Sequence, residues 1–358
     1  MYASLQRVSS TFWGPPSGAD SLGQPTILDI ASRAGVSKST VSLVLRGSPK
    51  VSDATRRVVL DLMEQLDYRP NAMARGLVRQ RTNVMGVVFS DPHNTFFADV
   101  LDGIDARATE AGYRTLLMTG HRSPSREAEA IESLLEMRVE GLILAAPRLQ
   151  TGRIVEASRT VPVVLVSRTL EAERVDSVTS DDGAGARAVV DHLVALGHRR
   201  IAHIDGGSGA SAPARRSGYE QAMRRHGLAD FIRIAVGDFT EASGAAGVKE
   251  LLASDARPTA IFAANDLSAI GALDALERSG LRVPEDLSVV GYDNTSLAQL
   301  ANIGLTTVDQ PRREMGVAAA ELLLERLSGQ RTTPRHIMLT LAPSLVVRTT
   351  TATIGAER

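Results

Sequence analysis

The chain has 358 residues, of which 43% are hydrophobic and 23% charged, and its formal net charge is −1. This size and composition are typical of a globular protein with room for two or three domains. There is no cysteine, which excludes disulfides, a zinc site built on thiolates and a cysteine nucleophile. No apolar run reaches the roughly 18 residues of a membrane-spanning helix, so no membrane partner is expected.

The small net charge hides an asymmetry along the chain. Residues 26–81 contain ten Lys and Arg against five Asp and Glu, a net charge of +5, whereas residues 82–358 contain 29 against 35, a net charge of −6. A basic segment joined to an acidic body indicates that the segment binds a polyanion. Small domains are often basic by chance, so the charge alone does not establish that the segment binds nucleic acid.

Residues 1–25 are rich in Ser, Gly and Pro and lack the apolar stretch of a signal peptide. A disordered leader is expected here. Trp13, the only tryptophan, lies in this segment and is therefore expected to be outside the core.

Residues 26–69 have the pattern of three short helices. Thr26 can cap a helix over Ile27–Ala34, and Ser37 can cap another over Lys38–Leu45, because their hydroxyls accept bonds from free N–H groups of a first turn. Gly35 lies in a short turn between them, of the kind that sets two helices at a steep angle. A third helix runs from the cap Ser52, and its inner stripe is predicted from its helical period: Val58, Val59, Leu62, Met63 and Leu66. This arrangement leaves the second helix free to enter a major groove.

Residues 70–82 are predicted to form a connecting segment between the three helices and the rest of the chain. Pro70 ends the third helix, and Asn71–Leu77 is a helix-forming run of only seven residues. An isolated helix needs about 12–15 residues for even marginal helicity in water. The segment is therefore either a plain flexible linker or a hinge helix that folds only when two copies pair on DNA.

Residues 83–350 alternate short apolar strands with helical stretches, followed by a tail over residues 351–358. Continuous apolar strands between helices predict parallel sheets covered on both faces, here an α/β body of two doubly wound subdomains. The first lobe is expected over about 83–178 and 309–339, and the second over about 179–308 and 340–350. The strands are predicted at seven apolar runs: 84–89, 113–118, 141–146, 162–166, 200–205, 259–264 and 287–292. The helices are predicted between them: Phe96–Ala111, Pro124–Arg138, Thr151–Ser158, Gly183–Leu196, Pro213–Arg225, Asp266–Ser279 and Pro311–Leu327.

Polar and aromatic side chains follow several of these strands. Ligands of such sheets bind beyond the carboxyl ends of the strands. Phe96 and Phe97 can stack on a flat ring, and a guanidinium such as Arg215 beside a carboxylate such as Asp293 can bond to vicinal hydroxyls. Phe97 also fits a core position, and Arg215 also fits a surface charge. Asp266 also fits a helix cap.

The sequence resembles the lactose/galactose repressor family of bacterial regulators along its whole length after the leader. Four runs carry the resemblance: DIASRAGVSKSTVS, RVVLDLMEQLDYRPNAMARGL, NDLSAIGALDALERSGLRVPEDLSVVGYDN and LTTVDQP. The resemblance implies an N-terminal three-helix helix-turn-helix headpiece and a hinge helix. The body it implies is similar to type I periplasmic binding proteins, with a hinged cleft between the two lobes.

The resemblance also implies which residues meet DNA: Thr26, Ser37, Lys38, Ser39, Thr40, Ser42, Leu43 and Arg46, with Asn71, Met73, Ala74 and Leu77 in the hinge. Lys38 and Ser39 would face bases, whereas Arg46 would meet phosphates, which position a protein without reading sequence. Leu43 departs from the family pattern, since leucine donates no hydrogen bond. It either contacts a thymine methyl or is buried in the headpiece. Leu77 would wedge into the central base step and kink the duplex.

In the body, the resemblance implies a small-molecule effector in the cleft. The effector-binding set is Phe96, Phe97, Arg168, Arg215, Phe239, Asn265 and Asp293. No paired histidines have metal spacing, and neither a dinucleotide fingerprint nor a hydrolase motif is present. No catalytic residue, metal or cofactor is therefore predicted.

The sequence thus predicts a repressor that binds a pseudo-palindromic operator in double-stranded DNA as a homodimer, controlled by a sugar or related metabolite. Its expected location is the cytoplasm, on the nucleoid. An extracytoplasmic solute-binding protein would fit the body but leaves the headpiece and the missing signal peptide unexplained. An α/β enzyme would also leave the headpiece unexplained. The C-terminal residues have no leucine heptads, which favours a dimer over a coiled-coil tetramer.

Overall fold

The computed structural model describes residues 25–68, 81–254, 256–333 and 336–354. Residues 1–24 of the predicted leader and residues 70–80 of the predicted hinge lie outside these ranges. The chain divides into two compact units, Met1–Gln80 and Arg81–Arg358.

The first unit contains the three predicted helices: α1 (Ile27–Arg33), α2 (Lys38–Leu45) and α3 (Asp53–Gln65). Each begins at the hydroxyl residue that the sequence indicates. The Thr26 hydroxyl accepts from the backbone N–H of Asp29, and the Asp29 carboxylate accepts in return from the backbone N–H of Thr26 at 2.7 Å. This reciprocal capping satisfies two donors of the first turn. The Ser37 hydroxyl accepts from the backbone N–H of Thr40 at 3.1 Å.

The core of the first unit is small. Its buried members are Ile30, Ala31, Val41, Val44 and Val59. The prediction that Val58 belongs to the inner stripe is wrong, because 49% of its surface is exposed. Successive helical residues are rotated by about 100°, so in a core this small only one of the two neighbouring valines can face inward.

The second unit contains twelve strands within the described residues: β1 (Val84–Phe89), β2 (Arg114–Thr119), β3 (Gly141–Ala145), β4 (Val163–Val166), β5 (Val175–Ser180), β6 (Ile201–Ile204), β7 (Arg233–Ala235), β8 (Ala260–Ala263), β9 (Ser288–Val290), β10 (Thr307–Asp309), β11 (Met338–Leu341) and β12 (Ser344–Val346). The first sheet has the order β11-β5-β4-β3-β1-β2, and the second has the order β7-β6-β8-β9. Every pairing in both sheets is parallel. Strands β10 and β12 pair antiparallel.

The helices of the second unit are α4 (Phe96–Glu110), α5 (Pro124–Glu136), α6 (Thr151–Thr160), α7 (Asp182–Ala195), α8 (Ala212–Arg225), α9 (Glu241–Leu252), α10 (Asp266–Arg278) and α11 (Arg312–Leu327). These helices cover both faces of each sheet. Neighbouring residues of one strand, which point to opposite faces, pack in different hydrophobic clusters. Val87 packs in the cluster that contains residues of α4 and α11, whereas Val88 packs in the cluster that contains residues of α5 and α6. Ala202 and Ile201 divide in the same way between the two cores of the second sheet. The predicted pair of doubly wound sheets is confirmed.

The chain returns to the first sheet after building the second. Strand β11 pairs with β5, and helix α11 packs on α4. The sequence places boundaries of the first lobe at positions 178 and 339. Strand β5 extends two residues past the first position, and β11 extends two residues past the second. The lobe boundaries themselves stay a prediction. Among the helices of the described residues, none combines the length and the apolar composition that a membrane span requires.

Candidate functional site

A cleft lies where the strands of both sheets of the second unit end. About 530 Å³ of empty space, part of it open to solvent, lies among its lining residues. Every lining residue follows the carboxyl end of a strand or begins the helix after it, as expected for parallel sheets. The lining residues are Ser90, Asp91, Asn94, Phe96, Phe97, Arg122, Ala146, Arg148, Ser167, Gly209, Ala210, Ser211, Arg215, Asp238, Phe239, Asp293 and Gln310.

Five of the seven predicted effector residues line this cleft: Phe96, Phe97, Arg215, Phe239 and Asp293. The other two, Arg168 and Asn265, are not among the lining residues. Arg168 donates to the backbone carbonyls of Pro147 and Leu149. Asn265 caps α10 by accepting from the backbone N–H of Ser268 at 2.9 Å, and its amide donates to the carbonyl of Phe239 at 3.2 Å. Both therefore support loops that reach the cleft.

An aromatic cluster forms one wall of the cleft. The rings of Phe89 and Phe97 stack with centroids 5.5 Å apart, and Phe96 meets Phe97 edge-on at 5.2 Å. Phe97 is only 6% exposed; it belongs to the core and also lines the cleft.

Phe239 packs against the glycine-rich run after β6. A side-chain carbon added at Gly206 or Gly209 would come within 2.2 Å of the Phe239 ring. These two glycines therefore make room for the aromatic ring.

Arg215 lies at the floor of the cleft with 4% of its surface exposed, which excludes the alternative of a surface charge. Its Nε donates to Asp182 at 2.8 Å, and its Nη1 lies 3.7 Å from the Asp293 carboxylate. The guanidinium also stacks 3.7 Å from the centre of the Tyr292 ring. Gln310 donates to Asp293 at 2.6 Å, so the carboxylate is held in a fixed position.

Burial dominates the electrostatics of this floor. It raises the pKa of Asp293 to about 7, an effect that the Arg215 charge opposes and repulsion from Asp266 reinforces. Burial also raises the pKa of Asp182 against the opposing charge of Arg215. A carboxyl group with a pKa near neutrality is sensitive to any donor that a ligand brings.

Several cleft residues have a left-handed backbone, with φ of 61° at Arg122, 48° at Ala146, 60° at Ser167, 71° at Phe239 and 116° at Asp293. Residues other than glycine rarely adopt this conformation, which costs about 1–3 kcal/mol each and clusters at functional sites. The concentration of such residues around one cleft is independent support for its role as a binding site.

Sequence reasoning missed several lining residues, among them Arg122, Arg148, Ser167, Asp238 and Gln310. Ser167 follows β4 directly, so the strand-end rule applied to every strand would have found it. Arg148 and Arg122 each lie three residues past the end of their strand, where the loop path decides which side chain points inward. Among the described residues, no group of three or more His, Cys, Asp or Glu could hold a metal ion.

In the first unit, the predicted DNA-contacting residues differ in their exposure to solvent. Thr26, Ser37, Lys38, Ser39 and Arg46 are exposed, while Thr40, Ser42 and Leu43 are half-buried. Leu43 is half-buried but does not belong to the apolar cluster of the headpiece. The two alternatives for it, contact with a thymine methyl and burial in the headpiece, therefore both stay predictions. Arg46 donates to the Ser42 hydroxyl at 2.8 Å. The four predicted hinge contacts, Asn71, Met73, Ala74 and Leu77, lie outside the described residues.

Residues 26–71 match the bacterial regulatory proteins of the lacI family, and residues 190–351 match the periplasmic binding protein-like domain. Catabolite control protein A of Priestia megaterium is 35% identical over 309 residues, which cover 85% of this chain and 92% of that protein. The crystal structure of the lac repressor dimer bound to operator and the anti-inducer ONPF is 32% identical, with a TM-score of 0.77, and covers 92% of this chain and 100% of that one. The CelR regulator in complex with cellobiose is 35% identical, with a TM-score of 0.68, and covers 91% and 99%. The chain therefore belongs to the lacI family of bacterial regulatory proteins and is a transcriptional regulator, not an enzyme, with a helix-turn-helix DNA-binding domain and a periplasmic-binding-protein-like body.

Proposed function

We propose that this regulator is a repressor that binds a pseudo-palindromic operator as a homodimer and responds to a sugar or related metabolite in the cleft. The observation that carries the proposal is the buried pair of Arg215 and Asp293, 3.7 Å apart beside aromatic rings at the ends of the strands. A fixed guanidinium and carboxylate can bond to neighbouring hydroxyls, and the rings can stack on a sugar face. CelR, a relative of similar length, was solved with cellobiose.

Helix α2 is the proposed reading element. Lys38 and Ser39 are exposed on its first turn, where a recognition helix meets base edges. Ser37 and Arg46 flank it and would contact phosphates, as would Thr26 at the start of α1. Ser37 can donate its hydroxyl proton to a phosphate oxygen while its lone pair caps the helix.

The hinge is the proposed switch. Within residues 70–82, Asn71–Leu77 would form a helix when two copies pair on the operator, with Met73 and Ala74 in contact between copies and Leu77 inserted into the central base step. A ligand that binds one arrangement of the lobes more tightly would move the starts of the two hinges and shift this equilibrium. By reciprocity, the operator changes ligand affinity by the same factor.

The effector contacts follow from the geometry of the cleft. Phe96, Phe97, Arg215, Phe239 and Asp293 are proposed to touch the ligand directly. Arg168 and Asn265 are proposed to act through the loops that they hold. Because the proposed partner is chromosomal DNA, the nucleoid in the cytoplasm is the proposed location.

Selection of bound sequences from a random DNA pool tests this function, using purified protein at near-physiological salt. We expect a palindrome of two half-sites around a flexible central step. Affinity should fall steeply with salt, by about 10³–10⁵ between 50 and 200 mM if six to ten phosphates are contacted. Failure to enrich any sequence, with and without candidate metabolites, would contradict the proposal, as would salt-independent binding.

Replacing Leu77 with alanine should weaken specific operator binding by about 30-fold, since losing a buried leucine side chain costs about 2 kcal/mol. The operator should also bend less, which fluorescence transfer between labelled ends would report. Met137→Ala removes an exposed apolar side chain from the end of α5 and serves as the matched control. Unchanged bending in the Leu77 variant would contradict the hinge proposal.

A further inference from the structure

The loop after β3 is held by two charged side chains. The Glu127 carboxylate, 1% exposed, accepts from the backbone N–H groups of Arg148 and Leu149, both at 2.8 Å. From the other side, Arg168 donates to the carbonyls of Pro147 at 3.0 Å and Leu149 at 2.5 Å. Such charge-assisted bonds are stronger than neutral ones. The backbone that carries Arg148 is therefore fixed in place.

Arg148 extends from this fixed loop and lines the cleft. Among the described residues, no carboxylate lies within 4.0 Å of its guanidinium, whose side-chain bond is a long one of 3.4 Å to the Ser208 hydroxyl. The other two arginines that line the cleft are paired: Arg122 with Asp238, and Arg215 with Asp182. Within the described part of the chain, Arg148 is thus the arginine of the cleft that has no carboxylate partner.

The surroundings of Arg148 destabilise its charged guanidinium. Burial lowers the pKa of Arg148, and the nearby charge of Arg122 lowers it further, against weaker opposition from Asp238 and Glu127. A half-buried cation next to another cation is stabilised by an added anion.

A second observation points to a ligand at the same place. The hydroxyl of Ser167, in the loop after the neighbouring strand β4, is buried, lines the cleft and has no hydrogen-bond partner within the described chain. The Nε of Arg122, another lining residue, is also buried and unpartnered. Buried polar groups are normally satisfied, so both are unmet donors among the residues that line the cleft.

We propose that Arg148 binds an anionic group of the effector, a carboxylate or a phosphate, so that the effector is a sugar acid or a sugar phosphate, not a neutral sugar. The proposal rests on the proposed function only in taking this cleft as the effector site. Arg215 and Asp293 would bond to the hydroxyls, while Arg148, Arg122 and Ser167 would hold the charged end. Arg168 and Glu127 are then positioning residues for Arg148.

The first test uses the anions alone with the full-length protein. Inorganic phosphate or acetate, compared with chloride at equal ionic strength, should raise the Tm of the wild type by about 2 °C when it occupies most sites. Arg148→Gln should lose most of that rise, Arg148→Lys should keep part of it, and Arg278→Gln on the exposed face of α10 should keep all of it. Because the headpiece can also bind anions, the deciding quantity is the difference between the rise in Tm of the wild type and that of the Arg148→Gln variant.

No rise in the Tm of the wild type, or an equal rise in the Arg148→Gln variant, would overturn the proposal. A response to phosphate alone assigns a phosphoryl group, and a response to acetate alone assigns a carboxylate.

The second test links the anion to regulation. Matched sets such as glucose, glucuronate and glucose 6-phosphate, and galactose with galacturonate, are added to the protein on its selected operator. We expect the acidic members to change operator affinity at concentrations at least tenfold lower than the neutral members. That preference should disappear in Arg148→Gln. Equal potency of the neutral sugars, or an acidic preference that survives in the variant, would overturn the assignment. If no sugar of the sets acts, the anion measurement alone decides. Failure to recover any operator would instead refute the proposed function and leave the anion measurement standing.

Discussion

Asp293→Asn is expected to lower affinity for the effector by about 30- to 100-fold. The carboxylate is 3% exposed and held by Gln310 on one side and Arg215 on the other, so a ligand hydroxyl meets a charged acceptor in fixed position. Hydrogen bonds to charged groups contribute about 1.5–3 kcal/mol, and asparagine offers one acceptor oxygen without the charge. Calorimetric titration with the metabolite that acts on the operator complex would measure the loss.

The pH dependence of binding provides a second readout of the same residue. Burial raises the pKa of Asp293 to about 7, so near neutrality the carboxyl group is partly protonated without ligand. Donors from the ligand favour the ionised form. Affinity should therefore rise as pH increases through about 7, and fall as the group is protonated below it. The dependence should be absent in Asp293→Asn.

A matched control separates this effect from a change in total charge. Asp274→Asn removes a carboxylate on α10 that pairs with Arg278 and is 55% exposed. Its effector affinity should stay within about twofold of the wild type, since exposed pairs contribute about 0–1 kcal/mol. An Asp293→Asn variant that binds effector like the wild type would show that the cleft is assigned to the wrong residues.

Asp176→Ala is expected to destabilise the second unit by about 3–5 kcal/mol. Asp176 is fully buried on β5, where it accepts from Arg326 at 2.6 and 2.9 Å, from Arg331, and from the backbone N–H of Ile337 at 2.7 Å. Its removal leaves these donors without their shared carboxylate and loosens the attachment of β11. Urea denaturation at fixed protein concentration would measure the loss, because dimerisation would also contribute to stability.

Asp274→Ala is the matched control for stability, and it should cost about 1 kcal/mol or less. A loss below about 1 kcal/mol for Asp176→Ala would mean that water replaces the carboxylate and that the cluster is not a structural anchor.

The strands that sequence reasoning found and those it missed differ in their surroundings. Strands such as Val84–Phe89 and Val163–Val166 are continuous apolar runs because helices cover both of their faces. Strand Val175–Ser180 contains an aspartate, two serines and a threonine, yet all but one of its residues are buried. Its aspartate, Asp176, is held by partners distant in sequence, such as Arg326, which a local pattern cannot reveal. Helix Glu241–Leu252 was missed because its many small residues give a weak apolar stripe.

The sequence by itself determined the caps and bounds of the headpiece helices, the alternation that makes the α/β body and the strand ends at which ligands bind. These features depend on neighbouring residues and on helical and strand periods, which are local properties. Tertiary structure alone decided which side chains around the cleft point into it. It made Arg168 and Asn265 supports of the loops that carry Arg148 and Phe239. It also left Arg148 without a carboxylate partner among the residues that the structure describes. That outcome depends on loop paths and on pairings between residues far apart in the chain, which no local pattern specifies.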